Sequence, residues 1–200
     1  MNYLTDAFFW VSTGLLVPVM VFLLLGFAYA LCMLGGLYGY YADRRQFKKE
    51  IGDITNNASD EKISTFDHAT TIRHHPDFLL VLTQSKDKAW SPIHTAKALA
   101  DFEINAEKQL EKSKTLMRVG PMLGLMGTLI PMGPALVGLA TGDIATMAMN
   151  MQVAFSTTVI GVFLGGTGFT LNSIRKRWFT EDFYNLQFLI DLAQHEHAQE

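Results

Sequence analysis

The sequence has two long stretches from which charged side chains are almost completely absent. No Asp, Glu, Lys or Arg occurs in residues 7–41, and residues 119–174 contain only one, Asp143. A bilayer core of roughly 30 Å needs about 20 helical residues, and an uncharged run longer than about 18 residues is typical of a membrane span. The first stretch predicts one span, and the second predicts two, near residues 119–140 and 150–173.

Several classes of function lack their usual sequence signals. The single cysteine, Cys32, cannot form an internal disulfide, and there is no phosphate-binding glycine loop, nucleophile elbow or basic-aromatic nucleic-acid face. His74 and His75 are adjacent, so on a helix they point in different directions and do not predict a metal site. We therefore expect no enzyme activity, no metal site and no cofactor.

Basic residues adjoin the predicted spans on one side only. Clusters of Lys and Arg occur within residues 44–49, 112–118 and 175–177. By the positive-inside rule all three clusters face the cytoplasm, which predicts a multi-pass protein of the cell's inner membrane with its N-terminus outside and its C-terminus in the cytoplasm. The N-terminus carries Asp6 and no basic residue, so a cleaved signal peptide is not expected.

This topology divides the chain into four parts. They are an outer N-terminus with the first span (1–41), a cytoplasmic helical block (42–118), a hairpin of the second and third spans (119–174) and a cytoplasmic C-terminal helix (175–200). The predicted fold class is an all-α integral membrane protein. It has three transmembrane helices, and long helices extend from them into the cytoplasm.

Two amphipathic stripes support those cytoplasmic extensions. Ser91 followed by Pro92 is a good helix start, and no helix breaker follows before Gly120, which predicts one helix that continues into the second span. Its apolar stripe consists of Leu99, Phe102, Ala106, Leu110 and Met117. The stripe after the third span consists of Phe179, Phe183, Leu186, Ile190 and Ala193, opposite a polar face with Glu181 and Asp182. We expect the stripes to pack on each other or on neighbouring copies.

Small residues and prolines recur in the second and third spans. Glycines three or four residues apart let membrane helices approach closely, and proline is tolerated where neighbouring helices satisfy the freed backbone groups. We expect close packing at the glycines and kinks along a pore at the prolines. The residues concerned are Pro121, Gly124, Gly127, Pro131, Pro134, Gly161 and Gly165.

Hydroxyl side chains form a second pattern in these spans. Thr128, Ser156, Thr157 and Thr158 are expected at comparable depths, and together they predict a narrow polar path, although a single Ser or Thr commonly bonds only to its own helix. An ion path usually requires an ionisable group, and the predicted spans contain none, because Asp143 falls in the outer turn as a loop residue or helix cap. The carboxylate must then come from another chain.

Two motifs identify the resemblance to a family. The sequence PxxGLxGT at 121–128, followed by STTVIGVF at 156–163, resembles the MotA/TolQ/ExbB proton-channel family. The three-span arrangement with a large first cytoplasmic block is similar to the TolQ/ExbB type. The resemblance implies a homopentamer whose second and third spans line a pore around a pair of single-span ExbD-, TolR- or MotB-like chains. It also implies that Thr128 and Thr158 face an aspartate of that partner, which takes up and releases the ion.

The sequence departs from the family pattern at two positions. Val153, beside Gln152, stands where ExbB-like members have a glutamate, and Pro131 stands where the family often has glycine. The transported ion can be H+ or Na+, since hydroxyl oxygens suit either a sodium site or a water-bridged proton path. Whether Gln152 or Asp143 takes part in the path stays open. The expected function is a subunit of an ion-driven, energy-transducing motor; the alternative is a non-conducting membrane scaffold in which Gly, Ser and Thr serve packing only.

Overall fold

The computed structural model describes residues 2–57, 76–88 and 90–197, and His74 and His75 lie outside them. The described chain forms five helices, α1 (Asn2–Gly14), α2 (Leu16–Asn57), α3 (Pro76–Asp87), α4 (Pro92–Thr141) and α5 (Ile144–His197). Three helices contain a segment that is long and apolar enough to cross a membrane, and they cover Ala7–Tyr41, Pro92–Thr141 and Ile144–His195. The predicted all-α membrane class is confirmed.

A short break separates α1 from α2 inside the first uncharged stretch. Pro18 lies in the first turn of α2, and a proline there has no amide to bond to the carbonyl of Gly14. The amide of Leu15 instead donates to the carbonyls of Val11 and Ser12, at 3.1 Å each. The uncharged stretch therefore forms two consecutive helices rather than one.

The predicted start of the fourth helix is confirmed. α4 begins at Pro92, and the carbonyl of Ser91 accepts bonds from the amides of His94 and Thr95 at 3.1 and 3.0 Å. Proline fits the first helical position because no intrahelical partner exists for an amide there. Trp90, at the corner between α3 and α4, is buried and has the left-handed backbone angle φ of 56°.

α4 and α5 are each continuous over the lengths that the sequence predicts. Pro121, Pro131 and Pro134 lie inside α4 without ending it. The connection between the two helices is a tight turn in which Gly142 has a φ of 74°, a conformation that favours glycine. The amide of Asp143 closes this turn by donating to the carbonyl of Gly138 at 2.8 Å.

The chain forms two compact units, which we call the hairpin unit (Met1–Gly35 with Lys112–Asn172) and the extension unit (Gly36–Glu111 with Ser173–Glu200). In the extension unit, the N-terminal part of the first predicted stripe, at Leu99 and Phe102, shares one core with the second stripe, α3 and Trp90. That core consists of Phe78, Val81, Leu82, Trp90, Ala98, Phe102, Leu186, Leu189, Ile190 and Ala193. The expectation that the stripes pack on each other is confirmed.

One prediction for the extension unit is wrong. Asp182 was expected on the polar face of the C-terminal helix, but only 1% of it is exposed. Its Oδ2 accepts a hydrogen bond from Nη1 of Arg44 at 2.5 Å. The ion pair offsets part of the free energy that it costs to remove the carboxylate from water. The pattern of one helix cannot reveal a partner on another helix, so the burial of Asp182 was not predicted.

Candidate ion-pathway site

The α4–α5 hairpin is held together by contacts between small residues. A Cβ atom added to Gly161 would lie 2.6 Å from the Cα of Gly124, and one added to Gly127 would lie 2.6 Å from the Cβ of Thr157. Because the contact partner on α5 moves backward as the residue on α4 moves forward, the helices are antiparallel. We call this line of contacts the seam.

The seam also includes two of the other residues that the sequence singled out, Gly165 and Pro121. A Cβ atom added to Gly165 would lie 2.6 Å from the Cγ of Pro121. A residue larger than glycine would not fit at this contact without a shift, and small residues at such positions let membrane helices come close together. Pro131, which the sequence also singled out, is deeply buried.

Thr157 lies inside the seam. It is buried, and its hydroxyl donates to the carbonyls of Val153 and Ala154 at 3.1 and 2.9 Å. Its methyl and hydroxyl groups face Gly127. Within this chain, Thr157 therefore fills the hairpin contact.

Thr128 and Thr158 lie at one level and on one side of the hairpin. Each immediately follows a residue of the seam, Gly127 and Thr157 respectively, and those two residues are in contact. Successive helix residues turn by about 100°, and in an antiparallel pair this rotation carries both following residues to the same side. Both threonines are half-buried.

The first membrane helix packs on the other side. The ring of Phe27 in α2 lies 5.2 Å from that of Phe163. Phe163 immediately precedes Leu164, which belongs to the seam because its Cβ would lie 2.6 Å from a Cβ atom added to Gly120. Ser156 likewise precedes Thr157, so it lies on the side of α2 and not with Thr128 and Thr158. The structure therefore brings two of the four predicted hydroxyls together and separates the other two.

The hydroxyl groups of Thr128 and Thr158 each donate their proton to a carbonyl of their own helix. Thr128 Oγ1 donates to the carbonyl of Leu125 at 2.7 Å, and Thr158 Oγ1 donates to that of Ala154 at 2.9 Å. A hydroxyl that donates its proton still has lone pairs. Both oxygens can therefore accept a hydrogen bond from a protonated carboxyl group or ligate a cation.

Asp143 is remote from this level. It lies 15 residues from Thr158 in the sequence, which corresponds to roughly 22 Å along a helix axis. Its Oδ1 accepts from the amide of Thr146 at 3.0 Å, and its Oδ2 accepts from the Thr146 hydroxyl at 2.6 Å. These bonds, that from the hydroxyl above all, lower the pKa of the carboxyl group, so Asp143 is an exposed, ionised cap of α5.

The residues at the departures from the family pattern have ordinary helical surroundings. Gln152 is exposed, and its backbone carbonyl accepts a bond from the Ser156 hydroxyl at 2.8 Å. Val153 is half-buried. Pro134, six residues beyond Thr128 on α4, is half-buried. Among the side chains that the structure describes, no group of three or more His, Cys, Asp and Glu could hold a metal ion.

Comparison with known proteins identifies the family of the chain. No curated protein and no solved structure is significantly similar to the chain. The family model of the MotA/TolQ/ExbB proton channel family matches residues 73–179, more than half of the chain, and this range contains both motifs and the Thr128–Thr158 pair. The chain is therefore a multi-pass membrane protein that belongs to the MotA/TolQ/ExbB proton channel family.

Proposed function

We propose that the chain is the channel-forming subunit of an ion-driven motor, in which a gradient of H+ or Na+ moves a single-span partner that carries a membrane aspartate. The pairing of Thr128 with Thr158 supports this proposal more than any other observation. Two hydroxyl oxygens with free lone pairs share one level and one side of the hairpin. A carboxyl group of a partner that alternates between a protonated and an ionised form could donate a hydrogen bond to these oxygens when it is protonated.

The proposal explains why the carboxyl group belongs to another chain. Residues 119–174 contain one ionisable side chain, Asp143, and it caps a helix at the turn. One charge that crosses 100 mV releases about 2.3 kcal/mol, so a protonatable group at the threonine level can turn a gradient into movement. In this mechanism the chain performs no catalysis.

The surface around the threonines supports an assembly around a central partner. On the same side of the hairpin, 61% of Leu125 and 64% of Val162 are exposed, and each follows a seam residue as the threonines do. A homopentamer in the inner membrane would place these apolar residues against an ExbD-, TolR- or MotB-like span. In this arrangement, residues 1–41 form the outer N-terminus with the first span, 42–118 and 175–200 are cytoplasmic, and 119–174 form the pore hairpin.

The test replaces both threonines by an isosteric residue without a hydroxyl group. The chain is co-expressed with the single-span product of a neighbouring reading frame, reconstituted in proteoliposomes, and assayed for gradient-driven H+ and Na+ flux. We expect Thr128→Val with Thr158→Val to abolish the flux while the complex still purifies intact. The motor and scaffold hypotheses predict different results in this assay, because a scaffold carries no ion flux and needs no hydroxyl group at the level of Thr128 and Thr158.

A matched control is available on the same helices. Thr141 and Thr170 are exposed, and each bonds to a carbonyl of its own helix at 3.1 and 2.9 Å respectively. Both lie at other levels, so Thr141→Val with Thr170→Val should leave the flux unchanged. Full flux in the Thr128/Thr158 variant would contradict the assignment of the pathway, and the absence of flux with every single-span partner would favour the scaffold.

A further inference from the structure

A buried charged cluster joins α2 to α5 in the extension unit, outside the apolar stretches. Arg44, of which 7% of the side chain is exposed, donates through Nη1 to Asp182 at 2.5 Å. Its Nη2 donates to Glu181 at 3.3 Å and to the carbonyl of Trp178 at 3.2 Å. The guanidinium carbon lies 5.9 Å from the centre of the Trp178 ring. The centres of the Tyr40 and Trp178 rings are 5.2 Å apart. We call these five residues the brace.

The two carboxylates of the brace differ in their surroundings. Glu181 is 36% exposed, whereas Asp182 is 1% exposed. Oδ1 of Asp182 is buried and accepts no hydrogen bond from the residues that the structure describes, although Oδ2 bonds to Arg44. An ionised carboxylate with one unsatisfied buried oxygen is held at a considerable free-energy penalty.

Burial and the ion pair act on Asp182 in opposite directions. Burial raises the pKa of its carboxyl group, Arg44 lowers it, and the negative charge of Glu181 raises it. Burial is the largest of these effects, so the pKa lies above its ordinary value. Arg44 stays protonated throughout, because a guanidinium does not lose its proton in proteins.

We propose that Asp182 binds a proton from water on its side of the membrane and thereby switches how Arg44 joins α2 to α5. With Asp182 ionised, Arg44 bridges to the buried carboxylate. With a proton on Asp182, the negative charge of its carboxyl group is neutralised and the ion pair is lost, and the guanidinium of Arg44, which stays charged, keeps its bonds to Glu181 and to the carbonyl of Trp178. The brace then changes strength with pH in a chain that is itself driven by ions, a property that the pathway in the hairpin does not supply.

Within the described residues, the titratable and charged groups that act on Asp182 or on its neighbour Tyr40 lie on three helices. They are Tyr40 and Arg44 on α2, Asp77 on α3, and Arg175 and Glu181 on α5. Tyr40 and the two arginines do not titrate in the weakly acidic range. A transition above the ordinary range of an aspartate is therefore expected to belong to Asp182, with Glu181 as the group that a control must test.

Tryptophan fluorine NMR gives a direct readout, because the guanidinium lies against the Trp178 ring. The chain has three tryptophans, so the full-length protein labelled with 5-fluorotryptophan in nanodiscs should show three resonances, and Trp178→Phe identifies one. We expect the Trp178 resonance to shift in one transition between about pH 8 and about pH 4, with a midpoint above the ordinary aspartate pKa of about 3.9. Trp10 and Trp90 serve as internal references.

Two variants separate a switch from an inert ion pair. Asp182→Asn imitates the protonated form, so its Trp178 resonance should stay at the low-pH position at every pH. Glu181→Gln should keep the transition and move its midpoint to lower pH, because a neighbouring negative charge is removed. A Trp178 resonance that is constant with pH in the unsubstituted protein, or a transition that survives Asp182→Asn, overturns the proposal. If Asp182→Asn does not fold, the constant resonance and the direction of the Glu181→Gln shift still decide.

Discussion

The closest helix contacts of the two units are made by opposite means. Along the seam of the hairpin unit, α4 and α5 approach because side chains are missing, as where Gly124 meets Gly161. In the extension unit large side chains such as Phe78 and Leu186, each 0% exposed, fill the space between helices. A membrane offers little hydrophobic driving force between helices, so close contact of backbones replaces burial from water. Added volume should therefore damage the hairpin unit, and removed volume should damage the extension unit.

The largest effect is expected from removed volume in the extension unit. Phe78→Ala deletes a fully buried ring from the shared core, and such deletions typically cost about 3–5 kcal/mol. Leu80→Ala on the same helix is the control, because half of Leu80 is exposed. Thermal unfolding in detergent, followed by circular dichroism, should show a large decrease in midpoint for Phe78→Ala and a small one for Leu80→Ala. Equal decreases would mean that α3 is not anchored by this core.

A smaller effect is expected from added volume in the hairpin unit. Gly161→Ala places a methyl group 2.6 Å from the Cα of Gly124, and backbone atoms cannot move aside as a flexible side chain can. Overpacking of this kind typically costs about 1–3 kcal/mol. Gly166→Ala is the matched control on the same helix, because no atom lies within 4 Å of its added methyl group.

The two glycine variants make opposite predictions for the same chemical change. Gly161→Ala should lower the midpoint of thermal unfolding, whereas Gly166→Ala should leave it unchanged or raise it, since alanine favours a helix. If both glycines tolerate alanine equally, the seam does not depend on the close approach of backbones. The comparison between the two units would then lose its basis.

Much of this difference could be predicted from the sequence, because both packing modes leave periodic patterns. The spacing of Gly124, Gly127, Gly161 and Gly165 indicated a seam, and two apolar stripes indicated the extension. Such patterns can be recognised in the sequence because each depends on the spacing of residues within a single helix. The break at Leu15, by contrast, follows from a proline in an apolar run, where it is easily overlooked.

Other relations between helices could not be predicted from the sequence patterns. The resemblance implied that Thr128 and Thr158 face one partner, but their separation from Ser156 and Thr157 depends on which residues face across the seam, and the adjacency of residues 156–158 in the sequence does not show this. Asp182 was assigned to the polar face because its burial depends on Arg44, a residue that precedes it by 138 positions.

The smallest effect is expected at the turn of the hairpin, where Asp143 caps α5. Asp143→Ala removes both acceptors of Thr146, so the midpoint of thermal unfolding at neutral pH should fall slightly, and by less than for Gly161→Ala. Because the pKa of Asp143 is lower in the folded chain, its stabilisation is present above the ordinary aspartate pKa and is lost as the pH falls through the folded value. The midpoints of the unsubstituted chain and Asp143→Ala should therefore converge in acid. Asp143→Asn keeps an acceptor that does not titrate, so the difference between its midpoint and that of Asp143→Ala should not depend on pH. In the flux assay, Asp143→Asn should conduct fully, because the charge lies far from the threonine level; a loss of flux would mean that this carboxylate, and not only that of a partner, belongs to the pathway.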